Sequence, residues 1–459
     1  MAKRYDAIVI GTGQAGPPLA VRMADEGLKT AIIERKLFGG TCVNVGCTPT
    51  KTLVASARAA HMARRAKDFG VAVGGPIDVD MESVKARKDA IVRQSNEGLA
   101  EWLRGTENLT VYEGHARFET ANAIAVNGET LEAPRIFLNV GAKAHVPNMP
   151  GLAGVPYLTN STIMDVDFLP DHLAIVGGSY IGLEFAQMYR RFGSQVTVVE
   201  TKDRLIPRDD EDVSSAVQEI LEKEGVKFAL NATCIAVSGG AGKIEIKLDC
   251  SDGSKSVSAT HLLLAVGRTP NTGDLGLEKA KVEVDGRGFI KVDDELRTTG
   301  PGIWALGDCN GRGAFTHTSY NDYEIVAANL FDNEKRRVSD RIPTYALYID
   351  PPLGRAGMSE AEARATNKQV LVGKFAMSHV GRARERSETQ GFMKVLVDAE
   401  SRRILGAALL GIEADEVVQS LLGLMYAEQP YTLLQRAMFI HPTVSEYLPN
   451  LVNDLEPLA

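Results

Sequence analysis

Two cysteines separated by four residues, Cys42 and Cys47, lie at the predicted start of a helix. Two thiols at this spacing can cycle between a disulfide and a dithiol. Thr48 is a predicted N-cap and Pro49 suits the first helical position, so Cys47 is expected near free backbone N–H groups and the positive end of the helix dipole. Such a site favours the thiolate, the reactive form of cysteine. A structural disulfide and half of a zinc site are the alternative interpretations.

A histidine near the end of the chain has the chemistry that a redox-active thiol pair needs. A disulfide reductase requires an acid/base to protonate the leaving thiol, and the imidazole of His441 suits this task. Glu446 could orient His441. The segment 443–446 is also a capping box, in which Glu446 would accept backbone N–H groups instead. The residues alone leave both roles of Glu446 open.

The N-terminal segment contains the pattern of a dinucleotide-binding turn. A predicted buried strand at 6–10 runs into a glycine-rich turn, and a predicted helix at 19–26 and a strand at 30–34 follow. The glycines of this pattern let the backbone approach a pyrophosphate at the helix N-terminus, and the acid that ends the second strand accepts a ribose hydroxyl. A tight turn without a ligand is the alternative. The candidate cofactor contacts are Gly11, Gly13, Gly16 and Glu34.

The same pattern recurs later in the chain. Three residues of the first turn have counterparts 166 residues further on, namely Gly177, Gly182 and Glu200. Chance glycine turns would not keep both the spacing and the terminal acid, so we predict two dinucleotide sites and two cofactors. Ser179 stands where the pattern has a glycine, and its side chain is expected to strain the approach of a phosphate.

Other segments fill in the domain organisation. Apolar strands are predicted to end at Gly141 and at Gly267, where the chain could leave one domain and re-enter it. Asp308 directly follows a buried strand and a glycine, at the strand edge where open α/β sheets bind ligands. After Pro343 the predicted elements become apolar or alternating strands with helices, which indicates a separate α+β domain.

Composition narrows the functional classes. A chain of 459 residues is too long for one hydrophobic core and predicts roughly three domains. Its net charge of -8 argues against a broad binding surface for nucleic acid or an anionic membrane. The N-terminus lacks a secretory pattern and no apolar run approaches the ~20 residues of a membrane span, so we expect a cytoplasmic protein. Only five cysteines occur, without a second pair at zinc-finger spacing, so we expect no metal site.

The order of these motifs resembles a known family over nearly the whole chain. With the cysteine pair, two dinucleotide turns, the Gly-Asp element and the C-terminal His-Pro-Thr, the chain resembles the class I pyridine nucleotide-disulfide oxidoreductases. This family includes dihydrolipoyl dehydrogenase, glutathione reductase and mercuric reductase. The segments 351–355 and 381–384 are most similar to its mercuric-reductase-like branch, which includes a copper(II)-reducing flavoprotein induced by reactive chlorine.

The resemblance implies a fold class. It is an α/β protein with two Rossmann-like dinucleotide-binding domains, for FAD and NAD(P), and a C-terminal α+β dimerisation domain. We expect the FAD-binding domain at 1–150 and 271–342, the NAD(P)-binding domain at 151–270 and the dimerisation domain at 343–459. The resemblance also implies a homodimer whose active sites are shared between subunits.

The resemblance assigns a cofactor to each glycine turn. FAD would bind at the first turn and a nicotinamide cofactor at the second, where Gly177, Gly182 and Glu200 would contact it. Gly141 and Gly267 are further candidate cofactor contacts. The implied FAD contacts are Gly11, Gly13, Gly16, Glu34 and Asp308.

The resemblance also gives the two thiols separate roles. Cys47 would face the flavin and form the charge-transfer thiolate, whereas Cys42 would attack or bind the substrate. Lys51 would approach the flavin and pair with Glu184. Tyr180 would cover the flavin until nicotinamide displaces it. Without the resemblance, the charged pair would be interpreted as helix-surface residues and the tyrosine as a packed aromatic.

The implied cycle runs from the nicotinamide cofactor through FAD and the disulfide to a substrate. His441, oriented by Glu446, would be its acid/base and would reach the thiols across a dimer interface. A redox-sensing or metal-binding module without turnover is the alternative from a different functional class. Such a module would lack the acid/base or an intact cofactor turn, and the sequence has both.

The residue at the end of the second cofactor strand favours NADH. The carboxylate of Glu200 can bind a ribose 2'-hydroxyl but would repel a 2'-phosphate. Arg204 and Arg208 lie close by in the sequence and leave NADPH as a second cofactor.

The expected electron acceptor is a small disulfide or a thiophilic metal ion, with mercuric or copper(II) reductase and dihydrolipoyl dehydrogenase activities as alternatives. Val21 and Glu324 stand where glutathione reductases have arginines for the peptide carboxylates, which disfavours glutathione. No cysteine follows Cys309, so the vicinal pair by which mercuric reductases deliver metal is missing. Dihydrolipoyl dehydrogenases usually have another histidine where Phe439 stands.

Three further features have weaker functional signals. Cys309 is expected to be a small buried residue, as isolated cysteines usually are. The arginines at 382, 384 and 386 are expected to form a solvated surface, with an anionic-substrate site as the alternative. We assign no role to Cys234 and Cys250.

Overall fold

The computed structural model describes residues 2–249 and 255–458, so Cys250 lies outside the described residues. These residues form two five-stranded parallel sheets, a six-stranded C-terminal sheet and three smaller sheets. None of the helices in this part of the chain combines the length and the hydropathy that crossing a membrane requires.

The first parallel sheet is built around Ala7–Ile10, four consecutive buried residues. On one side this strand pairs with Ile136–Leu138, which pairs with Ile303–Ala305. On the other side it pairs with Thr30–Glu34, which pairs with Leu109–Glu113. Strands buried along their whole length are typical of parallel sheets that are covered on both faces.

Different elements cover the two faces of this sheet. Apolar side chains of the helices Gly16–Asp25, Met81–Gly105 and Thr316–Phe331 pack on one face. A small sheet packs on the other face. Its strands are Lys3–Arg4, Arg117–Thr120, Ala123–Val126 and Glu129–Glu132.

The second parallel sheet repeats this plan. Its central strand His172–Val176 lies between His261–Leu264 and Gln195–Val199. The edge strands are Leu158–Thr159 and Lys227–Ala229. The helices that follow its strands are Tyr180–Phe192 and Glu211–Lys223, and its small antiparallel sheet consists of Ala236–Gly240, Lys243–Lys247 and Ser256–Ala259. Both β-α-β units predicted from the glycine turns therefore form.

The chain passes between the two parallel sheets at the predicted places. Ala142–Ala144 follows Gly141, and Arg268–Pro270 follows Gly267. These two short strands pair with each other in antiparallel orientation. The point where the chain leaves the first parallel sheet and the point where it returns from the second therefore lie side by side. This pairing brings the edges of the two parallel sheets together.

Two consecutive helices carry the cysteine pair. They are Gly40–Val45 and Cys47–Arg65. The second of these helices packs against the long helix Met81–Gly105 and against Tyr180–Phe192. It therefore contacts elements of both dinucleotide-binding units.

The C-terminal sheet is antiparallel. In spatial order its strands are Thr344–Leu347, Leu353–Gly357, Ile404–Leu410, Phe392–Asp398, Val370–Ala376 and Glu456–Pro457. The α-helices of this region are Glu360–Arg364, Gly381–Glu385, Ala414–Tyr426, Thr432–Arg436 and Leu448–Leu451. Short 3-10 turns of the whole chain lie at Ala66–Phe69, Leu152–Gly154, Thr162–Asp165, Leu277–Ala280, Gly307–Asn310, Val338–Asp340, Met377–His379 and Ser445–Tyr447.

Two features of the C-terminal region have local causes. Leu353–Gly357 is a buried strand although its glycines are typical of a loop. Gly354 is required there because a Cβ would lie 2.4 Å from the carbonyl oxygen of Ala414 on the helix above. The helix Thr432–Arg436 ends where it does because the following residue, Ala437, adopts an extended conformation.

Candidate active site

The two thiols lie on consecutive helices that meet at Gly46. Cys42 belongs to the first of these helices, and Cys47 is the first residue of the helix Cys47–Arg65. Gly46 is the N-cap, so the prediction of Thr48 at this position is wrong. The correction places Cys47 in the first helical turn, where backbone N–H groups lack helical partners. Both thiols are free, and they hydrogen-bond to each other.

The surroundings shift the pKa values of the two thiols in opposite directions. The hydrogen bond with Cys42 is the largest cause that lowers the pKa of Cys47 to about 6. Thr316, whose Oγ1 lies 3.0 Å from the Sγ of Cys47, and the charge of Lys51 act in the same direction, while burial acts against them. The hydrogen bond with Cys47, burial and charge raise the pKa of Cys42. Cys47 is therefore the thiolate of the pair and Cys42 the thiol.

Lys51 is held close to Cys47 by a buried carboxylate. Its Nζ lies 2.7 Å from Oε2 of Glu184, whose side chain is 7% exposed. The other oxygen of Glu184 accepts the backbone N–H of Tyr348 at 3.0 Å, and the ring of Tyr348 lies 4.5 Å from the Nζ of Lys51. This is the pairing of Lys51 with Glu184 that the resemblance implies. It keeps a positive charge within reach of the thiolate.

The first glycine turn closes tightly around the N-terminus of the helix that follows it. A Cβ on Gly16 would lie 2.2 Å from the carbonyl oxygen of Gly11, so only glycine fits. Glu34 accepts the backbone N–H of Thr12 at 3.0 Å and its hydroxyl at 2.6 Å. The side-chain oxygen of Asn139 accepts the N–H of Gly16 at 3.0 Å. These bonds fix the strand end, the turn and the helix start relative to one another.

The 166-residue repeat extends to these hydrogen bonds. Glu200 accepts the N–H of Gly178 at 2.7 Å and that of Lys202 at 2.9 Å. Glu34 accepts the N–H groups at the two corresponding positions of the first turn, at 3.0 and 2.9 Å. Gly182 also repeats the close approach of the first turn, since a Cβ there would lie 2.0 Å from a backbone carbonyl oxygen. The two turns therefore have the same geometry.

The second turn itself accommodates Ser179, which is a separate matter from the predicted strain on an approaching phosphate. In the first turn the corresponding residue is Gly13, which lies against Asn139. A Cβ on Gly13 would lie 2.8 Å from Oδ1 of Asn139. The residue at the position of Asn139 in the second sheet is Ala265, which has no amide group. The smaller neighbour leaves room for a serine side chain.

Asp308 lies at the end of its buried strand and is paired with a half-buried arginine. Its Oδ2 lies 3.2 Å from the Nε of Arg268. Burial raises the pKa of Asp308, and the charge of Arg268 opposes this shift. Gly141 and Gly267 lie at the crossover close by, with φ angles of +64° and +111°.

One cavity of about 2780 Å³ joins the two glycine turns to the thiols. This exceeds the ~300–1,000 Å³ of a typical drug-sized site, so there is room for two dinucleotides. The backbone N–H groups of the turns and the paired acids suit two pyrophosphates and two riboses. The predicted site residues that line the cavity are Gly11, Gly13, Glu34, Cys42, Cys47, Lys51, Gly141, Gly177, Tyr180, Glu184, Glu200, Gly267 and Asp308.

His441 and Glu446 do not line this cavity in the part of the chain that the structure describes. The Nδ1 of His441 lies 2.8 Å from Oε2 of Glu446, and the His441 side chain is 78% exposed. Oε1 of Glu446 accepts the N–H of Thr443, whose hydroxyl accepts the N–H of Glu446. The same carboxylate therefore orients the imidazole and completes the capping box, so the two predicted roles of Glu446 coexist.

Arg382 is part of the support of His441 and not simply a solvated charge. Its guanidinium donates to the carbonyl oxygen of Pro442 at 2.6 Å. Arg384 is exposed, as predicted. Cys309 is fully buried, and burial raises the pKa of its thiol to about 12, which agrees with the prediction of a small buried residue.

Sequence reasoning missed several residues that shape the site. No motif singles out Asn139, although a polar residue at the end of a buried strand is itself a signal. Thr316 gave no motif signal, because its contact with Cys47 joins residues that lie far apart in the chain. The aromatic residues Phe315 and Tyr345 surround Tyr180, with ring centroids 6.1 and 5.3 Å from its own.

Comparison with known proteins finds matches over nearly the whole chain. Residues 5–322 match the pyridine nucleotide-disulphide oxidoreductase family, and residues 343–452 match the dimerisation domain of that family. The probable pyridine nucleotide-disulfide oxidoreductase RclA of Escherichia coli (strain K12) is 36% identical over 98% of each chain. A dihydrolipoyl dehydrogenase of Thermus scotoductus is 34% identical over 100% of this chain and 98% of its own. A mercuric reductase of Bacillus cereus is 30% identical over 90% of this chain and 66% of its own.

Solved structures of similar proteins also match nearly the whole chain. The HOCl-induced flavoprotein disulfide reductase RclA from Escherichia coli has a TM-score of 0.89 and 35% identity, with 97% of this chain and 99% of that chain covered. A Cu(II) complex of the same protein has a TM-score of 0.89 and 34% identity, with 98% and 99% covered.

Proposed function

The chain belongs to the pyridine nucleotide-disulphide oxidoreductase family, and on this premise we propose that NADH is its electron donor and the Cys42–Cys47 pair its reducing group. The family uses FAD and a pyridine nucleotide. FAD, when bound, accepts two electrons from the nicotinamide and passes them to the disulfide. The observation that carries the proposal is an unequally ionised thiol pair in the same cavity as two dinucleotide turns.

We propose that Cys42 is the thiol that reacts with the substrate. With a disulfide substrate, the thiolate of Cys42 attacks one sulfur, a mixed disulfide forms and the first substrate thiol leaves. The thiolate of Cys47 then attacks the Sγ of Cys42, which releases the second thiol and restores the Cys42–Cys47 disulfide. His441 takes the proton of Cys42 and returns it to a leaving thiolate. With a metal acceptor, the same two electrons reduce one Hg(II) ion or two Cu(II) ions, and the Cys42–Cys47 disulfide forms again.

The proposed homodimer brings His441 to the thiols of the partner subunit. Within one subunit this histidine is exposed and lies outside the thiol cavity. The neighbouring Met438 and Ile440 are 99% and 80% exposed, which is unusual for large apolar side chains. This surface belongs to the segment that matches the dimerisation domain. An interface here would cover the apolar side chains and place the imidazole at a second active site.

The function is tested by anaerobic addition of NADH to the FAD-bound enzyme, which we expect to produce a long-wavelength absorption band from the Cys47 thiolate beside the flavin. The band should grow with rising pH, with a midpoint near the pKa of about 6, because the thiolate is the form above the pKa. In Lys51→Met the midpoint should rise by roughly one unit, because a positive charge near the thiolate is lost.

The matched control for this titration is Lys67→Met, which removes an exposed lysine just after the same helix. Its midpoint should equal that of the wild-type enzyme. Complete reduction of the flavin without any long-wavelength band would refute the proposed relay.

We propose NADH as the preferred donor, and we expect its kcat/KM to exceed that of NADPH roughly ten-fold or more. The reason is the carboxylate of Glu200, which accepts two backbone N–H groups and would face a 2'-phosphate. Glu200→Gln should bring the kcat/KM values for NADH and NADPH closer together. Glu211→Gln, at an exposed position on the next helix, should leave the ratio of these two values unchanged. A higher kcat/KM with NADPH would contradict this assignment.

The acceptor in these assays is chosen from lipoamide, glutathione disulfide, Hg(II) and Cu(II). The first, third and fourth are suggested by the dihydrolipoyl dehydrogenases, the mercuric reductase and the Cu(II) complex among the similar proteins. Glutathione disulfide is expected to be a poor acceptor. Glu324 in the cavity lining is negatively charged where glutathione reductases have an arginine for a peptide carboxylate.

A further inference from the structure

The hydroxyl of Tyr180 is bound to a buried carboxylate that also binds the C-terminal sheet. Its Oη donates to Oδ2 of Asp209 at 2.8 Å. The other oxygen of Asp209 accepts the hydroxyl of Tyr345 at 3.1 Å and lies 3.1 Å from the Nε of Arg355. The Asp209 side chain is fully buried, with 0% exposure. The carboxylate is therefore shared by three groups.

The ring of Tyr180 is restrained as well. It packs edge-to-face on Tyr345, with interplanar angle 73°, and on Phe315, with interplanar angle 80°. Phe315 directly precedes Thr316, the residue that contacts Cys47. Tyr180 is thus fixed at the boundary between the second glycine turn and the thiol region of the cavity. In the proposed function, a nicotinamide ring bound from the second turn would need the space that Tyr180 occupies to reach the thiol side of the cavity.

We propose that Asp209 is a positioning residue that holds Tyr180 in the position covering the nicotinamide site, and that cofactor binding breaks the Tyr180–Asp209 hydrogen bond. This inference rests on the proposed function, in which the second turn binds a pyridine nucleotide and Tyr180 covers the flavin.

The arrangement lets Tyr180 leave without isolating the carboxylate. An unpaired buried carboxylate is strongly destabilising. After Tyr180 moves, Asp209 keeps the hydroxyl of Tyr345 and the guanidinium of Arg355. Opening therefore costs the hydrogen bond at Oδ2 and the ring contacts of Tyr180, while the charge of the carboxylate stays paired at Oδ1.

The restraint affects one part of the cofactor only. The adenosine and pyrophosphate part binds at the glycine turn and leaves Tyr180 in place, whereas the nicotinamide needs the space that Tyr180 occupies. A closed form that competes with binding reduces the apparent affinity by the fraction of open molecules. Asp209 should therefore weaken the binding of NAD+ and leave that of ADP-ribose, which lacks nicotinamide, unchanged.

The test is isothermal titration calorimetry of the oxidised, FAD-bound enzyme with NAD+ and, separately, with ADP-ribose. In Tyr180→Phe, which keeps the ring, the dissociation constant for NAD+ should fall roughly ten-fold, since a hydrogen bond to a charged acceptor is lost from the closed form only. The dissociation constant of this variant for ADP-ribose should stay within about two-fold of the wild-type value. Asp209→Asn, which keeps a neutral acceptor, should shift NAD+ binding in the same direction by less.

A double variant separates positioning from general disruption. Tyr180→Phe with Asp209→Asn should bind NAD+ as Tyr180→Phe does, because Asp209 acts through the hydroxyl that is already missing. Tyr112→Phe, which removes a hydroxyl that contacts Tyr5 at 2.9 Å, is the matched control and should change neither constant.

The inference is overturned if Tyr180→Phe binds NAD+ no more tightly than wild type, if both ligands shift together, or if the two substitutions are additive. Its failure is distinguishable from failure of the proposed function. A wild-type enzyme without the long-wavelength band refutes the relay, whereas an enzyme with the band and unchanged NAD+ binding in Tyr180→Phe refutes the role of Asp209 alone.

Discussion

Replacing Cys47 with serine is expected to abolish both the long-wavelength band and turnover. Serine at this position cannot form the disulfide, and its hydroxyl does not ionise in the range where the thiol does, with its pKa of about 6. The reduction of any acceptor by NADH should fall by roughly a thousand-fold or more, as expected when a covalent participant is removed. The measurements are the visible spectrum under anaerobic conditions and steady-state NADH oxidation.

Cys42→Ser is the matched variant, since it makes the same change at the other thiol. It should also lose turnover, because the disulfide again cannot form. However, Cys47 remains in its contacts with Thr316 and near Lys51, so the band should be present even before NADH is added. If the band persists in Cys47→Ser and disappears in Cys42→Ser, the assignment is reversed: Cys42 is then the thiol beside the flavin and Cys47 the one that reacts with the substrate.

Two inactive variants should restore activity when they are combined in one dimer. His441→Gln alone is expected to lower turnover roughly 10²–10⁴-fold, the usual contribution of an acid/base group. Flavin reduction by NADH should be unaffected, because the proposed role of His441 is the proton transfer between Cys42 and the substrate, a later step. Co-expression with Cys47→Ser subunits produces mixed dimers in which one site has an intact Cys47 from one subunit and an intact His441 from the other.

The expected recovery follows from random assembly. Half of the dimers are mixed and each has one intact site of two, so activity should reach about a quarter of wild type, if both sites of the C2 dimer work independently. His379→Gln, at an exposed histidine of the same sheet domain, should have little effect alone. Co-expression without recovery would mean that His441 serves its own subunit or has no role in turnover.

The local sequence predicted much of what is local in the structure. Strand, glycine turn, helix and terminal acid lie within about thirty residues, and this order follows from short-range sterics and backbone hydrogen bonding. The repeat over 166 residues was visible for the same reason, and the structure extends it to the bonds of Glu34 and Glu200. The cysteine pair at a helix start was also predicted, although the cap is Gly46 and not Thr48.

Contacts between distant segments were decided by the tertiary structure. Ser179 fits because Ala265 stands where the first unit has Asn139, and no pattern around position 179 contains that information. The low pKa of Cys47 has the hydrogen bond with Cys42 as its largest cause, but it is lowered further by Thr316, a residue 269 positions away.

The sequence by itself determined the two cofactor turns, the redox pair and the candidate acid/base, since each is defined by residue types at short spacing. Only the tertiary structure decided which side chains around Cys47 make it the more acidic thiol, that Glu446 serves both His441 and the backbone, and that Asp209 accepts the hydroxyl of Tyr180. The physical reason is that pKa values and side-chain restraints depend on the groups within a few ångströms, and folding brings these together from distant parts of the chain.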